Sequence, residues 1–208
     1  MTKDREILRG RVYSGSRNIL TVRTEESPTT ELECRIKGKV LKDTGEVYNP
    51  FAPGDWVLVE RQGESSTAQI LNVEERRNVF SRFNQSFKQK GGSSQLLAAN
   101  VDLVLCLCTP VSPPFRPRFL DRVLLQADTA GIESVIICNK IDLYEGDIDV
   151  DERLEEFKRI GYKVLFVSAK TGEGLNDLRA AIKGITSVLI GQSGTGKSSL
   201  INALAPDL

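Results

Sequence analysis

Eight residues constrain this chain more than any others. Gly191-Gln192-Ser193-Gly194-Thr195-Gly196-Lys197-Ser198 lies between an apolar run, Val188–Ile190, and a helix-like stretch, Ser198–Leu204. A Gly-x4-Gly-Lys-Ser string in that setting is a strand–loop–helix turn whose backbone N–H groups curl around an anion at a helix N-terminus. It imposes β–α geometry on its neighbourhood, and the neighbourhood agrees. From Ala98 onward, strand-like runs (Val101–Cys108, Ser134–Cys138, Lys163–Val167, Ser187–Ile190) alternate with helix-length segments (Pro117–Ala130, Val150–Ile160, Gly174–Lys183, Lys197–Leu204). Gly131, Gly161 and Gly184 stand where the first three helices should end, and Pro206 follows the fourth. This rhythm predicts a parallel sheet with helices on both faces.

The first 75 residues have a different rhythm. Leu8–Tyr13 and Ile19–Arg23 flank the turn triplet Ser14-Gly15-Ser16. In Glu31–Lys37, Leu32, Cys34 and Ile36 alternate with Glu31, Glu33, Arg35 and Lys37, the pattern of a half-buried strand with a charged outer face. Turn residues Asn49–Asp55 lead into Trp56–Val59, and Thr67–Val73 supplies a fifth strand. Five short strands without a long helix predict a small closed or partly open β-barrel. Residues 76–97 read as a connector, with five basic residues and no acid between Arg76 and Lys90, interleaved with Phe80, Phe83 and Phe87, and then Gly91-Gly92-Ser93-Ser94. Basic residues among aromatics can grip single-stranded nucleic acid; equally, the phenylalanines can pack into the adjoining domains. The expected division is 1–75, 76–97 and 98–208.

Composition narrows the function classes. With 40% apolar and 27% charged residues, the chain is of ordinary globular type. No apolar run approaches a membrane span, since Val101–Cys108 already contains Asp102. Met1–Glu6 has no apolar core of a signal peptide, so the expectation is a cytosolic protein without a membrane partner. Basic and acidic side chains balance at 28 each, but residues 1–90 hold 16 against 13 and residues 91–208 hold 12 against 15. Any polyanion is therefore expected on the first half. There is no His, and the four Cys form no Cys-x-x-Cys, which excludes His-based catalysis and argues against a structural zinc site within these residues. Cys34, Cys106, Cys108 and Cys138 read as strand core.

Two further loops carry chemistry. Asn139-Lys140-Ile141-Asp142 follows one strand and Ser168-Ala169-Lys170 another, at the sheet edge where open α/β sheets bind ligands. An Asp142 carboxylate can accept from both N1–H and N2–H₂ of guanine. Asn139 would brace base and loops, the Lys140 stem would lie along the base, and the Ala169 N–H could donate to O6. In the phosphate loop, Gly191, Gln192, Ser193, Gly194, Thr195, Gly196, Lys197, Ser198 and Ser199 form the phosphate-binding set. Lys197 is the catalytic candidate on the β- and γ-phosphates, and Ser198 is the expected Mg²⁺ ligand. Together the loops predict a guanine nucleotide, GTP or GDP.

The base loops precede the phosphate loop, the reverse of a Ras-like GTPase. That order behind a barrel resembles the circularly permuted GTPases, specifically the ribosome small subunit-dependent GTPase A family. The supporting pieces are Gly54-Asp55-Trp56-Val57, Arg77–Arg82, Ala98–Asp102 and Gly191–Leu204. The resemblance implies an OB-fold barrel touching ribosomal RNA, a P-loop GTPase domain, a zinc domain C-terminal to it, and a monomer acting in late maturation of the small (30S) subunit. It also implies a switch I Thr and an Asp-x-x-Gly after Lys197; the chain has 11 residues beyond Lys197 and neither motif, so the GTPase domain is expected to be incomplete here. Arg35, Lys37 and Lys39 are the expected RNA contacts. A P-loop ATPase and a nucleotide-gated RNA-binding module without hydrolysis remain as alternatives.

Overall fold

At 12 residues, strand β1 (Arg5–Ser16) is long enough to pair along both edges. Its first half runs antiparallel to β4 (Trp56–Gln62), from Arg5↔Gln62 to Arg11↔Trp56. Its second half runs antiparallel to β2 (Ile19–Thr24), with a register shift between Val12 and Ser14. Strand β3 (Glu31–Ile36) pairs β2 antiparallel and β5 (Thr67–Val73) parallel, and β5 returns antiparallel to β4. The order β1-β2-β3-β5-β4 closes on itself as a five-stranded barrel of the OB kind. The computed structural model describes residues 5–16, 19–36, 51–83 and 94–205.

Alternation builds the barrel core. Inward residues Leu8, Val12, Leu20, Val22, Leu32, Cys34, Val57, Val59 and Ile70 form one buried cluster with Phe51 and Ala68, and each large side chain contributes about 1.5–3 kcal/mol. Outward residues of β3 are charged and exposed, as its spacing requires.

Residues 76–97 are not a bare connector. Strands β6 (Val79–Phe83) and β7 (Ser94–Ala99) pair as an antiparallel hairpin, and the division between compact units falls between Asn100 and Val101. The hairpin joins the barrel through the Gly54–Asp55 turn. Ala99 N–H donates to the Pro53 carbonyl at 2.9 Å, and Asn100 Nδ2 to the Gly54 carbonyl at 3.0 Å. Gly54 has φ +94°, and a Cβ there would lie 2.0 Å from the Ala99 oxygen, so no side chain fits. Asp55 is fully buried. Its carboxylate takes Arg76 Nε and Nη2 at 2.7 and 2.9 Å and the Ala52 N–H at 2.8 Å. Phe80 is 1% exposed; it packs in the protein and presents no face to a base. Phe87 and Gly91–Ser93 lie outside the described residues.

The second unit, Val101–Leu208, is α/β. Strands β8 (Leu103–Cys108), β9 (Glu133–Asn139), β10 (Lys163–Val167) and β11 (Ser187–Gly191) form a parallel sheet in the order β10-β9-β8-β11. Helix α1 (Pro117–Thr129) starts at a proline and buries Leu120, Val123, Leu124 and Ala127, one stripe at helical spacing. Helix α2 (Ile148–Arg159) is capped by Asp147, whose side chain accepts from Asp149 N and Val150 N. The Schellman bonds Ile132 N–H to Ala127 O and Tyr162 N–H to Phe157 O, 3.0 Å each, end α1 and α2 at the expected glycines.

The chain steps β8, β9, β10 in one direction and then crosses back to β11. Right-handed crossovers therefore put α1 and α2 on one face, and α3 (Leu175–Ile182) on the other with α4 (Lys197–Leu204). Leu103, Leu105, Leu107, Val135 and Ile137 pack with Leu175, Leu178 and Leu200 on that second face. Cys106 and Cys138 sit buried in the same strands, and desolvation pushes the Cys106 thiol up to about 12. Loops leaving β8 and β11 diverge to opposite faces, so a topological switch point lies between them.

Candidate functional site

All three loops singled out in the sequence leave C-terminal strand ends of this sheet. Asn139 closes β9, Ser168 follows β10, and Gly191 closes β11. One carboxamide ties them together. Asn139, 1% exposed, donates through Nδ2 to the Thr195 carbonyl at 2.9 Å and accepts the Ala169 N–H at Oδ1, 3.1 Å away. The bracing role expected of Asn139 toward its neighbouring loops is realised in these two bonds. They also engage the Ala169 amide, the N–H expected from the sequence to donate to a base oxygen.

Lys140 adopts a left-handed backbone, φ 68° and ψ 36°, at a cost of about 1–2 kcal/mol for a residue with a Cβ. Its ammonium donates to the Gly194 carbonyl at 2.8 Å and to Ser112 at 2.7 Å. The base loop is thus clipped to the phosphate loop twice, once by Asn139 and once by Lys140. The 3₁₀ turn Ile141–Leu143 then presents Asp142. That side chain is only 12% exposed; its Oδ1 accepts from the buried Ser168 hydroxyl at 2.6 Å, and Lys170 Nζ lies 3.9 Å from Oδ2. Each carboxylate oxygen retains a further lone pair.

The phosphate loop is folded around its own lysine. Lys197 Nζ donates to the carbonyls of Gly191 and Gln192 at 2.8 and 2.7 Å. Thr195, 2% exposed, donates to Gln192 O at 2.8 Å, which tightens the bend before Gly196. At Gly196 φ is +89°, and a Cβ would meet Asn139 Nδ2 at 2.6 Å. Glycine is required there both by backbone and by the Asn139 clip. Helix α4 begins at Lys197, with Ser198 and Ser199 exposed in its first turn, where a helix's N–H groups have no intrahelical acceptor. Gln192, Ser193 and Gly194 complete the rim. Such a rim of amides, one ammonium and a hydroxyl suits a polyphosphate.

Among the described residues no group of three His, Cys, Asp or Glu could hold a metal by itself. Ser198 fits the remaining way of binding Mg²⁺, as one oxygen beside phosphate oxygens and water. No helix among the described residues is long and apolar enough to cross a membrane. Of the expected RNA contacts, Arg35 is exposed on β3, while Lys37 and Lys39 lie outside the described residues.

The β8–α1 loop, which no local motif marks, also belongs to this edge. Ser112 anchors Lys140, Thr109 Oγ1 donates to the Pro113 carbonyl at 2.7 Å, and Pro113 lies 3.5 Å from a Cβ built at Gly194. Its position after a central strand beside the switch point was the available signal.

The family model "RsgA GTPase" matches residues 73–208. The small ribosomal subunit biogenesis GTPase RsgA of Borrelia recurrentis is 37% identical over 194 residues, 93% of this chain and 59% of the relative. The protein of the same name from Christiangramia forsetii is 34% identical over 205 residues, covering 97% and 64%. The chain thus spans about three-fifths of the length of these curated relatives. The crystal structure of YjeQ from Thermotoga maritima superposes with a TM-score of 0.72 at 32% identity, over 98% of this chain and 66% of that one. YloQ, described as a circularly permuted GTPase, gives 0.66 at 26% identity, over 97% and 65%. In loop order, in fold and in sequence, this chain belongs to the RsgA GTPase family.

Proposed function

We propose that the α/β unit binds GTP and GDP, and that the protein is a GTPase acting in maturation of the small ribosomal subunit. The observation that carries this reading is the pair of clips from Asn139 and Lys140. They hold a carboxylate suited to guanine and a glycine-rich loop suited to phosphates at one sheet edge. In this reading Asp142 accepts from the guanine N1–H and N2–H₂, while Asn139 and Ser168 hold the loops that frame the base. Lys140 and Lys170 flank the base with their stems, and Ala169 reaches O6 by sharing or releasing its bond to Asn139.

Amides of Gly191–Ser199 surround the phosphates, Lys197 swings from its two carbonyls to the β- and γ-phosphates, and Ser198 joins the Mg²⁺ shell. Catalysis is then positional and electrostatic, with Lys197 stabilising charge on the transferring phosphoryl group. Zinc belongs, in this reading, to a further domain C-terminal to these residues, as the family resemblance implies.

The curated relatives named above are small ribosomal subunit biogenesis GTPases. By that relation we infer that this protein acts on the 30S subunit; the sequence supports a cytoplasmic location, the family resemblance a monomer, and the exposed charge of Arg35 a barrel face on ribosomal RNA. The test is single-turnover hydrolysis of GTP and ATP with and without 30S subunits. GTP-selective hydrolysis stimulated by subunits supports the proposal. ATP preference would assign a P-loop ATPase, and tight GTP binding without hydrolysis under either condition would leave a nucleotide-gated RNA-binding module.

A further inference from the structure

A cleft of about 930 Å³ opens on the α/β unit beside the three-loop site, and none of the phosphate- or base-loop residues line it. One wall is apolar, built from Pro110, Val111, Pro114, Phe115 and Pro117. The other carries Leu143 and Tyr144, then Glu145, Asp147 and Asp149. Val111 and Leu143 are 46% and 48% exposed, so apolar surface is already presented to whatever enters. Arg153 is the one basic residue of the lining. Its guanidinium is committed to Asp121 at 2.7 Å and Glu156 at 2.6 Å, carboxylates outside the cleft. Arg116 and Arg118 flank the start of α1 without lining the cleft. Three carboxylates above an apolar floor are therefore the cleft's own character.

Both walls are held before any partner arrives. Ser112 and Pro113 are fixed by Lys140 and Thr109. On the other wall the Tyr144 hydroxyl donates to the Asp147 carbonyl at 2.9 Å and accepts the Asp147 N–H at 2.8 Å. A preformed cleft spares a ligand the ordering cost of its receptor. Its volume is of the size that takes a few side chains.

We propose that this cleft docks a basic, extended segment of a partner protein. An aromatic or branched apolar side chain enters between the proline wall and Leu143, and flanking Lys or Arg side chains meet Glu145 and Asp149. Asp147 contributes less, because its carboxylate already caps α2. Phe115 and Tyr144 offer rings to the cations, and the rim steers a basic segment in. Carboxylates facing a phosphate backbone argue against a nucleic acid here. The proposal does not use the nucleotide reading and stands or falls apart from it.

The test is a titration of the ¹⁵N-labelled chain with the peptide acetyl-Arg-Phe-Arg-amide, followed by amide chemical shifts. Saturable shifts confined to residues 110–117 and 143–153 are expected, with no saturable shift from acetyl-Glu-Phe-Glu-amide. Glu145→Lys with Asp149→Lys should weaken the basic peptide at least tenfold while amide dispersion is retained. If that double variant loses its dispersed spectrum, Val111→Asn, which removes apolar surface without adding charge, decides, with the same tenfold loss expected. Shifts scattered over the surface, affinity indifferent to the variants, or an oligouridylate moving the same amides equally well would overturn the proposal.

Discussion

Asn139 spends both ends of one buried carboxamide on its neighbours, on Thr195 and on Ala169. Truncation to Ala leaves a buried carbonyl and an amide unsatisfied, each at about 1–3 kcal/mol. Asn139→Ala should therefore lower unfolding stability by about 2–4 kcal/mol and weaken GDP at least tenfold, read by urea titration and by nucleotide fluorescence. Lys197 predicts a different signature. Its ammonium rests on carbonyls of its own loop, outside the apolar core, so Lys197→Ala should leave the melting temperature nearly unchanged. GDP affinity should fall at least a hundredfold, since hydrogen bonds to a charged group contribute about 1.5–3 kcal/mol each and more than one is lost. Unchanged GDP affinity in that variant would reject the phosphate-loop assignment.

At the scale of elements, the barrel and its hairpin depend on one turn. Asp55, with no exposed surface, holds Arg76, whose side chain is 23% exposed, in a two-bond fork. Asp55→Ala strips that partner and the Ala52 N–H together, a loss of about 3 kcal/mol. Trp56 is the chain's single tryptophan and lies under Arg9 at 4.1 Å, so its fluorescence reports this unit's unfolding directly. All four cysteines are buried, Cys34 in the barrel and the other three in the parallel sheet, and burial pushes Cys34 and Cys106 up to about 12. Neither becomes an appreciable thiolate below pH 9, so a thiol reagent at pH 8 should label them only as fast as the chain unfolds. Elements with strict periodicity were legible from residues alone: Thr67–Val73 and Lys197–Leu204 carry the predicted bounds. The hairpin was not. Its strands are short, its basic residues read equally as a connector or a binding segment, and Phe80 and Arg76 are explained only by partners distant in sequence.

For the molecule as a whole, motif spacing made the gathering of the three loops at one sheet edge readable, because each motif directly follows a strand of the same parallel sheet. The Ser112 anchor and the acid-rimmed cleft were not readable, since both arise from tertiary neighbours and not from any local pattern. Binding of GDP should stabilise the folded chain by about 2.7 kcal/mol at a hundred times its dissociation constant. Charge reversal at Arg35, Lys37 and Lys39 should weaken small-subunit binding and flatten its dependence on salt, because fewer counterions are released; an unchanged salt slope would move the RNA face elsewhere. The central claim, that this site selects guanine, rests on Asp142. Asp142→Asn replaces one acceptor oxygen by an NH₂ group, which meets the guanine amino group donor to donor but finds an acceptor in the carbonyl of xanthine. A site built on such polar pairing can discriminate by about 10⁴. The decisive measurement is titration of GDP and xanthosine diphosphate into wild type and Asp142→Asn. The account predicts that the variant loses GDP and gains xanthosine diphosphate; an unmoved preference would contradict it.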